Sequence, residues 1–502
     1  MTVKHPLTAP GPFTPTLILH GGAGSLSRAN LPPDLYARYR ASLTKYLTGT
    51  RELLNSGTSA LDAACHAVTL LEDDPLFNCG RGSVFTESGT IEMEASVMVS
   101  SVDPAGPPAG GIKRAAAVSL VKNTRHPILL AKEVLLEPDE DGGLGGTSSM
   151  HCQLSGRQLE EWGWRQRGLE KKPDRWFWTK KRWEEHRKGL HHDDSYSFNN
   201  LVASIDPYTE SPFEDDDSEV DEIPSQGTVG AVCLDSWGNL AVATSTGGLT
   251  NKKAGRIGDT PTIGAGFWAE AWEEDPPKPP QAPEKPPSRR ASGLGKLPVL
   301  DQILSPCLSP TEPEHPSEQL NGAPPAYTAS TTTSYQSYPS PHVRHPSSSS
   351  AQPTRKRRRA VAMSGTGNGD SFLRLNAVRT VAAHCRLSGP PSVSLADAVK
   401  LITGPGGELQ RSAGDRWGRT GEGQGGIIGI EISDEQEDEA EEPLQMWPGG
   451  FEKRVQPETS RNKKKRGRVV SDFNCGGLFR AYYELDETGV ETPKVMVFHE
   501  EY

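Results

Sequence analysis

GTVGAVCLDSWGNLAVATSTGG, residues 227–248, places two β-prone runs on either side of Ser236-Trp237-Gly238. That spacing predicts a hairpin with Gly238 in the left-handed position and Asp235 and Asn239 as its closing pair. In this register Thr228 lies opposite Thr246, on one face, with Cβ atoms about 4.5–5.5 Å apart. Val232, Leu234, Leu240 and Val242 share one face; Val229, Ala231, Ala241 and Ala243 share the other. Both faces are apolar or small, so the sheet needs a layer on each side, which predicts a layered α/β sandwich. A buried hairpin ending in threonine is most often purely structural, because β-branched residues occupy strands readily.

The flanking sequence argues for chemistry. Lys253-Ala-Gly-Arg256-Ile-Gly-Asp259 is a glycine-punctuated loop with a cation and an anion three residues apart. A guanidinium grips a carboxylate as a two-pronged fork, and an aspartate accepts from an ammonium, so the pair could hold both charged ends of an α-amino acid. The bland alternative is an exposed ion pair in a turn. Ser364-Gly-Thr366-Gly367-Asn368-Gly369-Asp370 opens a helix expected over Phe372 to Cys385. Backbone N–H groups at such a glycine-rich start can stabilise an oxyanion. The phosphate-loop reading is weak: the Walker lysine is absent and no GxGxxG register fits.

Elsewhere Leu17 to His20 reads as a strand ending in a glycine turn, and Ser59 to Asp73 as a helix with a Ser59…Asp62 capping signal. Ala115 to Val121, Gly425 to Ile432 and Val469 to Phe473 read as strands. Ile128 to Leu136, Leu375 to Cys385 and Ser394 to Ile402 read as helices. The Trp-, Lys- and Arg-rich stretch from Arg157 to Asn200 reads as partly helical. Two segments read as disordered insertions. Residues 272–359 hold PPKPPQAPEKPP, a Ser/Thr/Tyr/Pro tract and the basic cluster Arg355 to Arg359; residues 433–468 run from the acidic DEQEDEAEE to a second basic cluster at Arg461 to Arg466. Both clusters match short nuclear-localisation patterns, although solvated charge runs are the commoner reading.

The composition agrees with an ordinary domain diluted by such segments. Only 34% of the 502 residues are apolar, against 52 glycines and 42 prolines. A net charge of −11 disfavours non-specific nucleic-acid binding. No apolar run approaches the roughly 18–20 residues of a membrane span, and the N-terminus has no secretory pattern. Seven scattered cysteines show neither a disulfide framework nor a CxxC metal pattern, as in a cytoplasmic or nuclear protein with reduced thiols. The expectation is a chain with no cofactor, no metal held by His or Cys, no nucleic-acid partner and no membrane.

Eight short motifs then fall in one order: His20-Gly-Gly-Ala-Gly24, Asn78-Cys-Gly-Arg-Gly82, Glu92-Met-Glu-Ala-Ser96, Gly227-Thr-Val-Gly230, Thr244-Ser-Thr-Gly-Gly248, Gly255-Arg-Ile-Gly-Asp259, Gly264-Ala-Gly266 and Thr366-Gly-Asn-Gly369. With them the chain resembles the plant-type asparaginase and isoaspartyl peptidase family, relatives of taspase and glycosylasparaginase. The resemblance implies a four-layer αββα Ntn-hydrolase sandwich that cuts itself between Gly227 and Thr228. It also implies an α-subunit of residues 1–227, a β-subunit of residues 228–502 and a dimer of cleaved protomers. Thr228 falls at the nucleophile, Thr246 at the threonine that hydrogen-bonds it, and Thr366 and Gly367 at the oxyanion hole. Arg256 and Asp259 fall at the substrate clamp, with Ile257, Gly258, Asn368 and Gly369 beside it. Leu71 to Arg81 falls at a sodium-binding loop made of backbone carbonyls. The implied substrates are L-asparagine and β-aspartyl peptides. A taspase-like endoprotease cutting after aspartate is the alternative, suggested by the long segment from Gly142 to Gly227. A non-enzymatic scaffold is the reading from another class.

Overall fold

The hairpin forms as its sequence dictates and lies at the middle of the larger sheet. The computed structural model describes residues 11–101, 114–136, 151–190, 227–274, 357–389, 392–433, 464–486 and 488–502. These belong to one unit, Met1–Pro277 with Arg355–Tyr502. The second unit, Lys278–Thr354, carries the Pro- and Ser-rich tracts and lies outside the described residues, as does the acidic run 434–442.

The strands are β1 (Phe13–Thr14), β2 (Thr16–Gly24), β3 (Met93–Ser101), β4 (Arg114–Val121), β5 (Gln153–Ser155), β6 (Val229–Leu234), β7 (Asn239–Thr246), β8 (Phe267–Glu274), β9 (Arg357–Gly367), β10 (Gly425–Ser433), β11 (Lys465–Arg466), β12 (Arg468–Phe473), β13 (Gly477–Leu485) and β14 (Glu491–Met496). The helices are α1 (Pro33–Asn55), α2 (Ala60–Asp73), α3 (Pro127–Leu136), α4 (Arg157–Gln166), α5 (Lys180–Gly189), α6 (Gly369–Leu375), α7 (Ala377–Leu387), α8 (Leu395–Thr403) and α9 (Glu408–Arg411). The larger sheet runs β14-β13-β2-β6-β7-β3-β4-β5 and the smaller β12-β10-β9-β8; β1 pairs with β11 alone. Among the described residues no helix is long and apolar enough to cross a membrane.

β6 and β7 pair from Val229 with Ser245 to Leu234 with Leu240, and Gly238 has φ +89° in the loop. This is the expected register. Each face feeds a different core. Val229, Ala231, Ala241 and Ala243 join Leu43 and Leu47 of α1, Val68 and Leu71 of α2 and Leu130 of α3. Val232, Leu234, Leu240 and Val242 belong to a second core with Val361 and Met363 of β9, Ile428 and Ile430 of β10, and Val381 and Val399 of α7 and α8. The fold is therefore mixed α/β, with apolar layers on both sides of the hairpin. α2 starts where its capping signal predicts, Ser59 Oγ accepting from Asp62 N at 3.1 Å.

Three expectations need correction. His20 to Gly24 is strand rather than turn; β2 continues through it against β13, with a bulge at Phe479/Arg480. The helix expected over Leu375 to Cys385 is broken at Asn376, which adopts φ +47° and separates α6 from α7. The ends of both expected insertions are strand. Trp272 to Glu274 complete β8 and pair with Arg359 to Arg357, which open β9. Ser433 ends β10, Lys465 and Arg466 form β11, and Arg468 opens β12.

Cross-strand charge explains why an arginine run can be strand. Arg358 lies 3.5 Å from Glu273. Arg359 is buried, its Nε donating to Glu431 Oε1 at 2.8 Å and its Nη1 to the Cys385 carbonyl at 3.3 Å. Removing one partner of a buried pair strands the other charge, so Arg359→Ala should cost about 3–5 kcal/mol. Thermal or urea unfolding of the purified variant measures this; a loss below about 1 kcal/mol, the range of an exposed pair, would contradict it.

Candidate active site

Four chain segments end at one cleft lined by Thr228, Thr246, Arg256, Asp259, Gly367 and Gly369, among others. The residue before β6 and the last residue of β7 are the threonines, the loop after β7 supplies the charged pair, and the β9–α6 junction the glycines. Asn368 makes that junction by capping α6, its side chain accepting from Ser371 N at 3.1 Å, while its own N–H donates to the Gln424 carbonyl.

Thr228 is buried one residue before β6, so the next pair of the ladder register sets it opposite Thr246. Their hydroxyls do not pair. Thr228 Oγ1 lies 2.8 Å from Thr260 Oγ1, whereas Thr246 Oγ1 accepts from Gly248 N at 3.0 Å. Register fixes which Cβ atoms are neighbours; the rotamers follow the nearest donors. Thr260, directly after the clamp loop, is thus a site residue that the motif reading passed over.

Gly227 sits against the expected oxyanion group. Its N–H donates to the Ala23 carbonyl at 3.2 Å, and the Ala23 N–H donates to Thr366 Oγ1 at 3.2 Å. A methyl group on Gly227 would stand 2.6 Å from Thr366 Oγ1 and 3.0 Å from Gly367 N. The glycine before Thr228 therefore makes room for the hydroxyl and amide that face it. Beneath, buried His20 bridges the two sheets through Nε2 and Ser364 Oγ, 2.7 Å apart; burial pushes its imidazole down to about 3, so it is neutral.

The charged end of the cleft is asymmetric. Arg256 Nη2 donates to Asp370 Oδ2 at 2.9 Å. Asp259 is buried, and its Oδ2 has no hydrogen-bond partner among the described residues. Burial pushes its carboxyl up to about 7, although the Arg256 charge pulls the other way. Ile257 is exposed, and Gly258 N donates to Glu94 Oε1 at 2.9 Å. Glu94, Ala23, Ser25, Thr420, Gly421 and Gln424 also line the cleft and escaped the motif reading of chemistry. Glu94 lay inside a quoted motif; the rim loop around Thr420 has only its glycines as a signal.

Among the described residues no group of His, Cys, Asp and Glu side chains could hold a metal ion. In the stretch from Leu71 to Arg81 the Pro75 and Phe77 carbonyl oxygens both lie beside Gly82. A methyl on Gly82 would stand 2.7 Å from both the Pro75 and Phe77 oxygens, and the Glu72 carbonyl accepts from Arg81 N at 2.6 Å.

The asparaginase family model matches residues 13–272. A putative isoaspartyl peptidase/L-asparaginase of Dictyostelium discoideum is 38% identical over 276 residues, covering 50% of this chain and 70% of that protein. An isoaspartyl peptidase of Salmonella typhimurium is 36% identical over 253 residues, 50% of this chain and 69% of its own. The isoaspartyl peptidase/L-asparaginase of Bos taurus is 35% identical over 258 residues, with 51% and 68% covered. The family match ends before β9, so Thr366 to Gly369 reach the cleft through the fold, outside the matched span.

Proposed function

Because this chain belongs to the asparaginase and isoaspartyl peptidase family, a family of hydrolases, we propose that it is a precursor that cuts itself at Gly227–Thr228 and then hydrolyses L-asparagine and β-aspartyl peptides with Thr228. The observation that carries the self-cutting step is Gly227 packed against Thr366 Oγ1 and Gly367 N, with the Thr228 hydroxyl beside it in a buried cleft.

In the precursor, Thr228 Oγ attacks the Gly227 carbonyl carbon. The Gly227–Thr228 C–N bond breaks, the amine takes up the proton, and Gly227 is left as an ester on Oγ. Water hydrolyses that ester, giving the Gly227 carboxylate and a free Thr228. Thr260 orients the attacking hydroxyl, and the Thr366 hydroxyl and Gly367 N–H stabilise the tetrahedral oxyanion. The freed α-amine, with an ordinary pKa of about 7.7–8.0, then serves as base for its own hydroxyl. Oγ attacks the substrate's side-chain carbonyl, ammonia or an amine leaves with the proton, and water releases aspartate. Thr246 supports the amine end of Thr228 from the facing strand. Proton transfer supplies about 10²–10⁴-fold and an oxyanion donor about 10²–10³-fold, so the reaction needs both.

Arg256 takes the substrate α-carboxylate, exchanging it for Asp370, and Asp259 takes the α-ammonium; Ile257, Gly258, Asn368 and Gly369 form the walls. This clamp fits a free amino-acid end better than the interior of a protein chain, which favours the amidohydrolase over the endoprotease. Residues 1–227 then form the α-subunit and 228–502 the β-subunit of one four-layer αββα sandwich, supported by the two cores either side of the hairpin. The mature form is a dimer of cleaved protomers. The stretch from Leu71 to Arg81 would hold a structural sodium ion on backbone carbonyls, those of Pro75 and Phe77 being the nearest pair beside Gly82. Described cysteines are free thiols, in keeping with a reducing compartment, the cytoplasm or nucleus.

Purified protein should give two subunit masses and release ammonia from asparagine or cleave β-aspartyl dipeptides. A single uncleaved chain inactive on these and on an aspartate-containing peptide would overturn the reading. Asp259 sets the pH dependence. Only its charged form attracts an ammonium, and its carboxyl titrates at about 7. KM for asparagine should therefore rise as pH falls below that value, by about tenfold per unit, and level off above it. Asp259→Asn should raise KM and flatten the profile; a wild-type KM constant from pH 6 to 8 would contradict the assignment.

A further inference from the structure

Glu94 opens β3's pairing with β7, in register with Thr246, and lines the same cleft as Thr228 and Asp259. The residue is 1% exposed. Oε1 accepts from Gly258 N, but Oε2 is buried with no hydrogen-bond partner among the described residues. Lys252 and Arg256 act on it by charge, but neither hydrogen-bonds Oε2. Lys252 Nζ donates to the Glu92 carbonyl at 2.6 Å, and Arg256 Nη2 donates to Asp370. A buried carboxylate oxygen without a partner is costly, and native proteins rarely keep one without a use.

Asp259 Oδ2 is orphaned in the same cleft. The two carboxylates flank Arg256 across two glycines. A methyl on Gly258 would stand 3.0 Å from Glu94 Oε2 and 2.7 Å from Arg256 Nη1. One on Gly369 would stand 2.5 Å from Asp259 Oδ1 and 3.0 Å from Arg256 Nη2. The missing side chains keep open the space between the cation and its two flanking anions.

We infer that Glu94 is a second ligand for the substrate α-ammonium, which Glu94 Oε2 and Asp259 Oδ2 grip together while the α-carboxylate lies on Arg256. This deepens the amidohydrolase reading and rests on it. An ammonium has three N–H donors and so can serve both oxygens at once. A zwitterion also suits the local charge: its anion replaces Asp370 on Arg256, and its cation answers the two unpaired carboxylates. Burial pushes both carboxyls up, a penalty on their charged forms that a neighbouring ammonium would relieve. The rival role is structural, with Glu94 holding the clamp loop through Gly258 N alone. A neutral acceptor would serve that role equally well.

Glu94→Gln separates the two, since it keeps the shape and the acceptor for Gly258 N but removes the charge. The probe pair is L-asparagine and succinamic acid, which is the same amide without the α-amine. Loss of a charge-assisted hydrogen bond predicts a KM for asparagine raised about 10–100-fold, with kcat within about threefold. Hydrolysis of succinamic acid should hardly change, so the preference for asparagine collapses by the same factor. An unchanged preference, or equal losses on both amides, overturns the assignment. Should Glu94→Gln fail to fold or mature, Glu94→Asp retains the charge and withdraws it by one methylene. The preference should then fall by about threefold to tenfold, and an unchanged preference overturns the assignment equally. Wild-type protein that hydrolyses neither asparagine nor a β-aspartyl dipeptide would defeat the underlying function, an outcome distinct from a wild-type enzyme whose preference ignores Glu94.

Discussion

Thr228→Ala leaves the chain at full length and without amidase activity. On the proposed mechanism the substitution removes at one stroke the nucleophile of the self-cut, the nucleophile of turnover and, with no cut, the free amine that would serve as base. Oxyanion donors acting alone retain only about 10²–10³-fold of acceleration. The expected fall in kcat/KM is therefore about 10⁴-fold or more, the scale seen when a unit of cooperating catalytic groups is broken. Denaturing electrophoresis and intact mass distinguish one chain from two, and ammonia release from asparagine gives the rate. Among the described residues the hydroxyl hydrogen-bonds only Thr260, so melting should shift little. A Thr228→Ala protein that still appears as two chains, split before residue 228, would assign the cut to another agent.

Gly227→Ala separates the cut from turnover. The added methyl would lie 2.6 Å from Thr366 Oγ1, 3.0 Å from Gly367 N and 3.2 Å from the Ala23 carbonyl. Relief requires moving either the carbonyl to be attacked or the groups that stabilise its oxyanion. Displacements of this size at a reacting centre cost about 10²-fold or more in rate. Precursor should persist for many times its wild-type lifetime in a time course of subunit appearance. Residue 227 belongs to the departing α-chain terminus, so each site that does mature should turn over asparagine at the wild-type rate. Equal slowing of maturation and of turnover per mature site would place the methyl's effect on the oxyanion groups themselves.

The hairpin was legible because alternation, a glycine at the turn and β-branched residues all point to one register, and a slip by one residue would exchange its two faces. Both faces meet the apolar layers that this register demands. The pairing of the Thr228 hydroxyl was not legible, since Thr260 reaches it from a loop whose path depends on tertiary packing. α1 was missed although Tyr39, Leu43, Tyr46, Leu47, Thr50 and Leu54 lie on its buried side. Its apolar stripe is diluted by tyrosine and threonine, and a helix entered through Pro32 and Pro33 carries no side-chain cap. The ends of β8 and β9 were hidden by their charge. WEE and RRR read separately as solvated runs, and only their pairing makes them strand. Glu94 stood in plain view inside a recognised motif, but a motif does not reveal which oxygen lacks a partner.

The order of the larger sheet bears on what the proposed cut would do to the molecule. β2, β3, β4 and β5 precede Gly227, whereas β6, β7, β13 and β14 follow it, and in the sheet they interleave: β14 and β13, then β2, then β6 and β7, then β3 to β5. Two polypeptides threaded through one sheet cannot drift apart without breaking its ladders, so severing the covalent link leaves the native state assembled. The unfolded state is another matter. Before the cut, refolding is a first-order event; afterwards two separate strands of sequence must meet, and dilution works against them. Self-cleavage would thus act as a ratchet, letting the chain fold as one molecule and then removing the route by which it could easily do so again.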